Sequence, residues 1–302
     1  MEDAVIQHYS VDDLEAVILG ALRVLGKDPA QLKPADLAPV DEFHVRGVQA
    51  TEELRTLVDI DADSRVLDLG CGLGGSCRYL ASKCVCHVTG IDLTDAYCEA
   101  ATRLSRHVGL SKQTTFRQGN ACDLPFDDGE FDVVWTEHAQ MNIEDKVSFY
   151  GEAHRVLRSG GHLLFHDIFR GGEDEVHYPV PWAENGSISH LWTTDEIRTL
   201  LVDLGLHERH WEDKSHESAL WFRGVVDRIR RDGPPPLGIH LLMGKSAALK
   251  LENITRNLEQ GRIVVVQAVF TKPELPSSPL KNCFRGESPR FQGQYFRRNA
   301  VV

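Results

Sequence analysis

The chain has 302 residues, with 42% hydrophobic and 26% charged side chains, the balance of an ordinary globular protein with room for one large embellished domain. Its formal charge of −12 sets up an average field that repels nucleic acid. No apolar run reaches the roughly 20 residues of a membrane span, and the acidic, polar start lacks the apolar core of a signal peptide, so a cytoplasmic protein with no membrane partner is expected.

In chain order, residues 10–26 predict a helix. Ser10 can cap it, and Leu14, Val17, Ile18, Ala21, Leu22 and Leu25 recur at helical spacing. Lys27–Pro39 is a proline-punctuated connection, and a second helix is expected at about 48–58. Residues 65–69 are the first strand, running into Gly70-Cys71-Gly72-Leu73-Gly74-Gly75 and then a helix. Such a strand, tight loop and helix open a nucleotide-binding α/β domain, because glycines allow positive φ and close approach of a ligand. Asp68 sits at the strand end. A pyrophosphate there meets a carboxylate at short range, whereas a ligand bearing an ammonium and a sulfonium is attracted.

His87–Ile91 is the second strand and ends in Asp92, spaced to accept from ribose hydroxyls; Thr94 is the better cap for the helix at about 95–107. Thr114–Arg117 and Phe131–Trp135 are the third and fourth strands. Glu144–Leu157 reads as a helix stopped by Ser159-Gly160-Gly161, before a fifth strand over His162–Phe169. Residues 170–192, with Tyr178, Pro179, Pro181 and Trp182, read as an aromatic lid. A helix over Thr194–Leu204 and a strand over His207–Asp213 follow. Glu217–Arg231 and Ser246–Gln260 read as helices, and the apolar run Arg262–Phe270 as a strand buried between others. The expected organisation is a helical cap over 1–60, an α/β domain over 61–272 with the lid and a helical insertion at about 216–260, and a mobile tail over 273–302.

Seven cysteines without a Cys-x-x-Cys pair read as reduced, mostly buried thiols. The histidines His44, His138, His166 and His240 show no i, i+2 or i, i+4 ligand spacing, so no metal is expected.

The run Val66-Leu67-Asp68-Leu69-Gly70-Cys71-Gly72-Leu73-Gly74 resembles the first motif of the class I S-adenosylmethionine (SAM)-dependent methyltransferases. The likeness continues through Gly90-Ile91-Asp92-Leu93, Gln118-Gly119-Asn120-Ala121, Leu124-Pro125-Phe126, Phe131–Trp135 and Arg155–Gly161. Asp41–His44, Thr136–Ile143, Pro179–Ala183 and His240–Gly244 resemble the sarcosine/dimethylglycine N-methyltransferase group. The resemblance implies a doubly wound, mostly parallel seven-stranded sheet, SAM as cofactor and S-adenosylhomocysteine as product. It implies Asp68, Gly70, Gly72, Gly74, Asp92, Leu93, Asn120, Ala121 and Glu137 around the cofactor.

Transfer to an amine lone pair needs alignment and disposal of any proton rather than a protein nucleophile. His138 and Gln140, beyond the fourth strand, are the expected catalytic residues. Phe43, His44, Arg46, His166, Tyr178, Trp182 and His240 are the expected acceptor contacts, Arg46 standing where relatives commonly have glycine. The expected partner is a small-molecule acceptor, with sarcosine or dimethylglycine leading and O-, S- or C-acceptors as alternatives; a homodimer is left open. A base-modifying enzyme is disfavoured, since no Asn/Asp-Pro-Pro-aromatic element follows the fourth strand.

Overall fold

A computed structural model describes residues 2–9 and 13–274. The first helices are α1 (Glu2–Tyr9), α2 (Leu14–Val24), α3 (Pro34–Asp41) and α4 (Val48–Arg55). The α/β part follows as β1 (Arg65–Leu69), α5 (Gly75–Cys84), β2 (His87–Asp92), α6 (Asp95–His107), β3 (Thr114–Gln118), β4 (Phe131–Glu137), α7 (Lys146–Val156), β5 (Leu157–Arg170) and α8 (Thr194–Asp203). The chain then runs through β6 (His207–Asp213), α9 (Ser215–Asp232), α10 (His240–Met243), α11 (Ala247–Glu259) and β7 (Ile263–Thr271).

The strands form one seven-stranded sheet in the order β3-β2-β1-β4-β5-β7-β6. All pair in parallel except β7, which runs antiparallel to both β5 and β6. The doubly wound, mostly parallel sheet expected from the sequence is therefore observed. The apolar β7 lies between two strands, as its composition demanded, and the outer strand β6 carries the polar pattern of an edge.

Phe149, Tyr150 and Ala153 of α7 with Ile197 and Leu201 of α8 cover one face, meeting Val134, Phe165 and Phe270. Full burial of a ring such as Phe149 stabilises the fold by about 2–3 kcal/mol. Leu54 of α4 and Cys77 and Leu80 of α5 cover the other face against Val66, Trp135 and Leu164. The N-terminal helices share their core with the rest of the molecule: Leu14, Ile18, Leu22, Leu37 and Val40 pack on Tyr97, Leu104, Leu237 and Leu242.

Several expectations need correction. The stretch read as an irregular connection contains α3. Pro34 starts it at a position where a missing N–H costs nothing, Asp36 caps the backbone of Lys33 at 2.8 Å, and buried Leu37 and Val40 hold it down despite Pro39. Asp13, not Ser10, caps α2, accepting from Ala16 N at 3.3 Å; Ser10 lies outside the described residues. Thr94 makes no side-chain cap on α6. Strand β5 starts at Leu157, because that residue already pairs with Phe131 and Gly160 N donates to Lys272 O at 2.8 Å, so Ser159-Gly160-Gly161 lies within the strand. Residues 275–302, most of the expected tail, lie outside the described residues. Among the described residues no helix is long and apolar enough to cross a membrane.

Candidate active site

Beyond the carboxyl ends of β1, β2 and β4, a cavity of about 460 Å³ runs between the sheet and the helices that cover it. Its floor is the loop after β1. Gly70 and Cys71 both donate to Ile91 O, at 2.8 and 3.1 Å, which folds the loop back over β2. Gly70 has φ +74°, and a β-carbon there would lie 2.5 Å from Cβ of Ala139, so the loop after β4 is packed directly on it. Gly72, at φ +49°, has open space where a β-carbon would project. Gly74 does not line the cavity. It turns the chain into α5 at φ +79° beneath the Phe116 ring, which a β-carbon would meet at 2.5 Å.

Asp92 closes the loop's open side: its Oδ2 accepts from Gly72 N and its Oδ1 from Thr94 N, each at 2.9 Å. Leu93, Asn120 and Ala121 line the same end. Asn120 Oδ1 accepts from Cys122 N at 2.8 Å, and its amide donates to Glu2 of α1 at 2.7 Å. Asp68, Asp92, Glu137 and Glu2 all face this half, and no lysine or arginine lines the cavity among the described residues. That field suits a cationic ligand and repels a phosphate-bearing one.

At the opposite wall a buried charge network surrounds His44. Its Nε2 donates to Glu42 Oε2 at 2.7 Å and lies 3.7 Å from Glu137 Oε2. Glu137 also accepts from Ser76 Oγ at 2.7 Å and Trp135 Nε1 at 2.9 Å. Burial alone pushes the His44 pKa down, but the Glu137 charge and the Glu42 hydrogen bond outweigh it and hold it up at about 9.

His138 follows β4 in a left-handed conformation, φ +53°, unusual for a residue other than glycine, with its N–H donating to His166 O at 3.0 Å. Its ring lines the cavity 6.0 Å from His44 and 5.2 Å from His166. Burial, then the neighbouring His166 and His44, push its pKa well below the usual imidazole range. Two buried groups fix this loop. Asp167 Oδ2 accepts from Ala139 N and Gln140 N, each at 3.2 Å, and Lys146 Nζ donates to Gln140 O at 2.6 Å and His190 O at 2.8 Å.

Of the expected residues, Phe43, His44, Asp68, Gly70, Gly72, Asp92, Leu93, Asn120, Ala121, Glu137, His138 and Trp182 come together around the cavity. The others do not. Gln140 turns its amide away to Ile168 O at 2.6 Å, so it serves the loop rather than a reacting group. Arg46, itself at φ +69°, is buried against Glu53 at 2.5 Å and is not available to a substrate carboxylate. His166 lies behind His138, its Nε2 on Val45 O at 3.0 Å. Tyr178 packs in an apolar cluster and His240 stands outside the lining.

The cavity is also lined by residues not expected at the site: Phe222 of α9 and Ile254 of α11, which lie in stretches read only as helices, and Leu242 and Met243 of α10, from the His240–Gly244 stretch, together with Met141 and Pro181. The expected lid is tied down. Asn257 pairs both ways with the backbone of His177, at 2.8 and 3.0 Å, and Asn253 donates to Pro179 O at 2.9 Å. Instead α1 covers the opening, with Glu2, Val5 and Tyr9 on the cavity. Among the described residues no group of three His, Cys, Asp or Glu side chains is arranged to hold a metal ion.

Residues 67–165 match the model of a methyltransferase domain family. The sarcosine/dimethylglycine N-methyltransferase of Halorhodospira halochloris is 31% identical over 258 residues, covering 84% of this chain and 88% of that protein. Tocopherol O-methyltransferase of Arabidopsis thaliana is 33% identical over 207 residues, 64% of this chain and 57% of that protein. Among solved structures, geranyl diphosphate C-methyltransferase from Streptomyces coelicolor A3(2), determined with S-adenosyl-L-homocysteine, superposes with a TM-score of 0.66 at 18% identity, covering 90% of this chain and 97% of that one.

Proposed function

This chain belongs to the class I SAM-dependent methyltransferases, and from that premise we propose that it methylates a small, predominantly apolar acceptor held between His138 and the wall formed by Phe43, Met141, Trp182, Phe222, Met243 and Ile254. SAM supplies an electrophilic methyl group on a positive sulfur. The residues present fit it: Gly72 leaves open space at the loop, Asp92, Leu93, Asn120 and Ala121 are set for the nucleoside, and the surrounding carboxylates favour a cation. The protein's own task is then to align the acceptor, exclude water and dispose of a proton.

The observation that carries the acceptor class is the composition of the second half of the cavity. Phe43, Val45, Met141, Trp182, Phe222, Leu242, Met243 and Ile254 line it beside Tyr9, His44, Glu137, His138 and Asn142, and among the described residues no lysine or arginine lines the cavity. The cation at that wall, protonated His44, is already shared between Glu42 and Glu137, so a phosphate or carboxylate on the acceptor would be desolvated there without a free partner. Relatives named for tocopherol and sterol, both apolar molecules, support this reading.

A second reading, transfer to sarcosine or dimethylglycine, is favoured by the 31% identical relative named for those amines. Aromatic faces such as Phe43 and Trp182 could stabilise a developing quaternary cation by roughly 0.5–2 kcal/mol each. The carboxylate of those amines weighs against it, since Arg46 is spent on Glu53. S-adenosylhomocysteine release across glycine-derived amines, phosphoethanolamine and uncharged apolar acceptors separates the readings. Turnover confined to dimethylglycine would reject the apolar acceptor, and absence of SAM binding would reject methyl transfer altogether.

A further inference from the structure

The connection from α5 to β2 reads Lys83-Cys84-Val85-Cys86-His87. It lies at the amino end of β2, so at the opposite end of the sheet from the cavity, and neither cysteine lines the cavity. Val85 ends the helix in a left-handed conformation, φ 61° and ψ 15°. A β-branched residue is an outlier there, because its Cβ crowds the backbone, and glycine is the residue that ordinarily takes this place. Val85 is 59% exposed, so packing of its own side chain does not offset the strain. Strain of this kind points to a task for the turn.

The conformation brings its two neighbours together. Across a residue with helical dihedrals of either hand, flanking α-carbons stand about 5.4 Å apart. Across a residue of a strand they stand roughly 6.6 Å apart. A disulfide joins α-carbons about 4.4–6.8 Å apart, most often near the middle of that range. The left-handed turn therefore sets Cys84 and Cys86 close to bridging distance, and their thiols already share a hydrogen bond.

The two thiols differ. Cys84 is half-buried. Burial raises its pKa, and the charge and hydrogen bond of Arg55, at the end of α4, offset part of that rise. Cys86 is fully buried, beside Cys77 and Trp135 in the core. Burial, then the neighbouring Cys84, push its pKa up to about 12. Cys84 is thus the thiol that meets a reagent from solvent, and Cys86 stays protonated beside it.

We propose that Cys84 and Cys86 are a thiol–disulfide exchange pair, Cys84 attacking and Cys86 resolving, whose product is a disulfide spanning the left-handed turn. This site stands apart from the methyl-transfer cavity, and the inference does not depend on the acceptor. The oxidant is a low-molecular-weight disulfide. Cys84 gives up its proton and attacks one sulfur of the oxidant. A mixed disulfide forms, and the first small thiolate leaves and takes up that proton. Cys86 then loses its proton and attacks the Cys84 sulfur. The protein disulfide forms as the mixed one breaks, and the second small thiol leaves with the proton. Two protein thiols are oxidised and one small disulfide is reduced to two thiols. A bridge across a strained, exposed turn belongs to the readily reduced class rather than to permanent staples.

The test holds the full chain, first reduced, in oxidised glutathione, quenches it with acid and maps its cysteines by mass spectrometry. In wild type, the peptide containing Cys84 and Cys86 should lose two hydrogens and regain them with dithiothreitol. Cys86→Ser should stop at the mixed disulfide, with glutathione on Cys84. Cys84→Ser should form no bridge and should take up glutathione at Cys86 at least about tenfold more slowly than Cys86→Ser does at Cys84. Melting curves establish that each variant is folded, and the wild-type map decides without them. Both cysteines remaining reduced in wild type, glutathione resting on Cys84 of wild type with no bridge, or a bridge from either residue to a different cysteine overturns the inference.

Discussion

Asp41, the last residue of α3, receives two hydrogen bonds from Arg78 of α5, Nε to Oδ2 at 3.0 Å and Nη2 to Oδ1 at 2.6 Å, with both side chains buried. Arg78 also holds the glycine loop through Leu73 O at 2.6 Å and reaches α6 through Ser105 Oγ at 3.1 Å. One guanidinium therefore ties the N-terminal helices to the loop that floors the cavity. Gly75 sits so close to this junction that a β-carbon would stand 2.5 Å from Asp41 O.

Removing one partner leaves the other charge buried and unpaired. Asp41→Ala is expected to cost about 3–5 kcal/mol in urea unfolding. Replacing both partners with apolar residues, Asp41→Leu with Arg78→Met, should recover much of that loss, because no bare charge remains. A single-mutant loss within the range of a surface pair, about 1 kcal/mol or less, would show that the junction is solvated.

The glycine loop predicts a contrast between two neighbours. Gly70→Ala places a methyl 2.5 Å from Ala139 Cβ, so the loop carrying His138 must shift. Gly72→Ala meets no protein atom within 4 Å but projects where the loop lines the cavity. Gly72→Ala should therefore lose SAM affinity while costing only the roughly 1–2 kcal/mol of a left-handed alanine. Gly70→Ala should lose more in thermal stability than that. Calorimetry beside a melting curve checks both, and identical stability losses would contradict the packing difference.

The glycine-loop end of this cavity was legible in the sequence because it is local. A strand, a glycine turn, a helix and then Asp92 carry their meaning in adjacent residues, and β1, α5 and β2 form where expected. The opposite end was less so. The turn of Gln140 toward Ile168 O, and of Arg46 toward Glu53, is set by partners that only the folded chain brings near. Phe222 and Ile254 have the helical spacing of any core residue, and nothing in that spacing says that a cavity interrupts the packing. Helix α1 is short, polar and without a buried residue, so no periodicity marked it.

His44 gives the fold a pH dependence. Its pKa stands at about 9 in the folded protein against 6.5 for the free side chain, so folding favours the protonated form. The stabilisation is fully present below pH 6.5, declines as pH rises above it, and is gone once pH passes the folded value of about 9. Its full size is on the order of 3 kcal/mol. Melting temperatures should fall between those two pH values in wild type, and the fall should be smaller in His44→Gln. Parallel profiles would place the dependence on another group.

Helix α1 buries no residue, yet three side-chain bonds hold it across the cavity: Tyr9 to Asn142 at 2.8 Å, His8 to Pro181 O at 3.0 Å, and Glu2 to Asn120 at 2.7 Å. Only partly buried Val5 and Tyr9 add apolar packing, and an element with so little buried surface opens at little cost, whereas the Tyr178–Trp182 segment is bound to α11 and to Asn142. Opening is therefore expected at α1. Amide exchange over residues 2–9 should be fast without ligand and slow with S-adenosylhomocysteine, while residues 178–182 should be protected in both states. Tyr9→Phe removes one closing bond and leaves Asn142 Oδ1 without its donor. A loss of about 1 kcal/mol from closure corresponds to roughly a fivefold rise in KM for the acceptor. Equal exchange of α1 in the two states, with an unchanged KM in Tyr9→Phe, would make the helix a fixed wall rather than a gate.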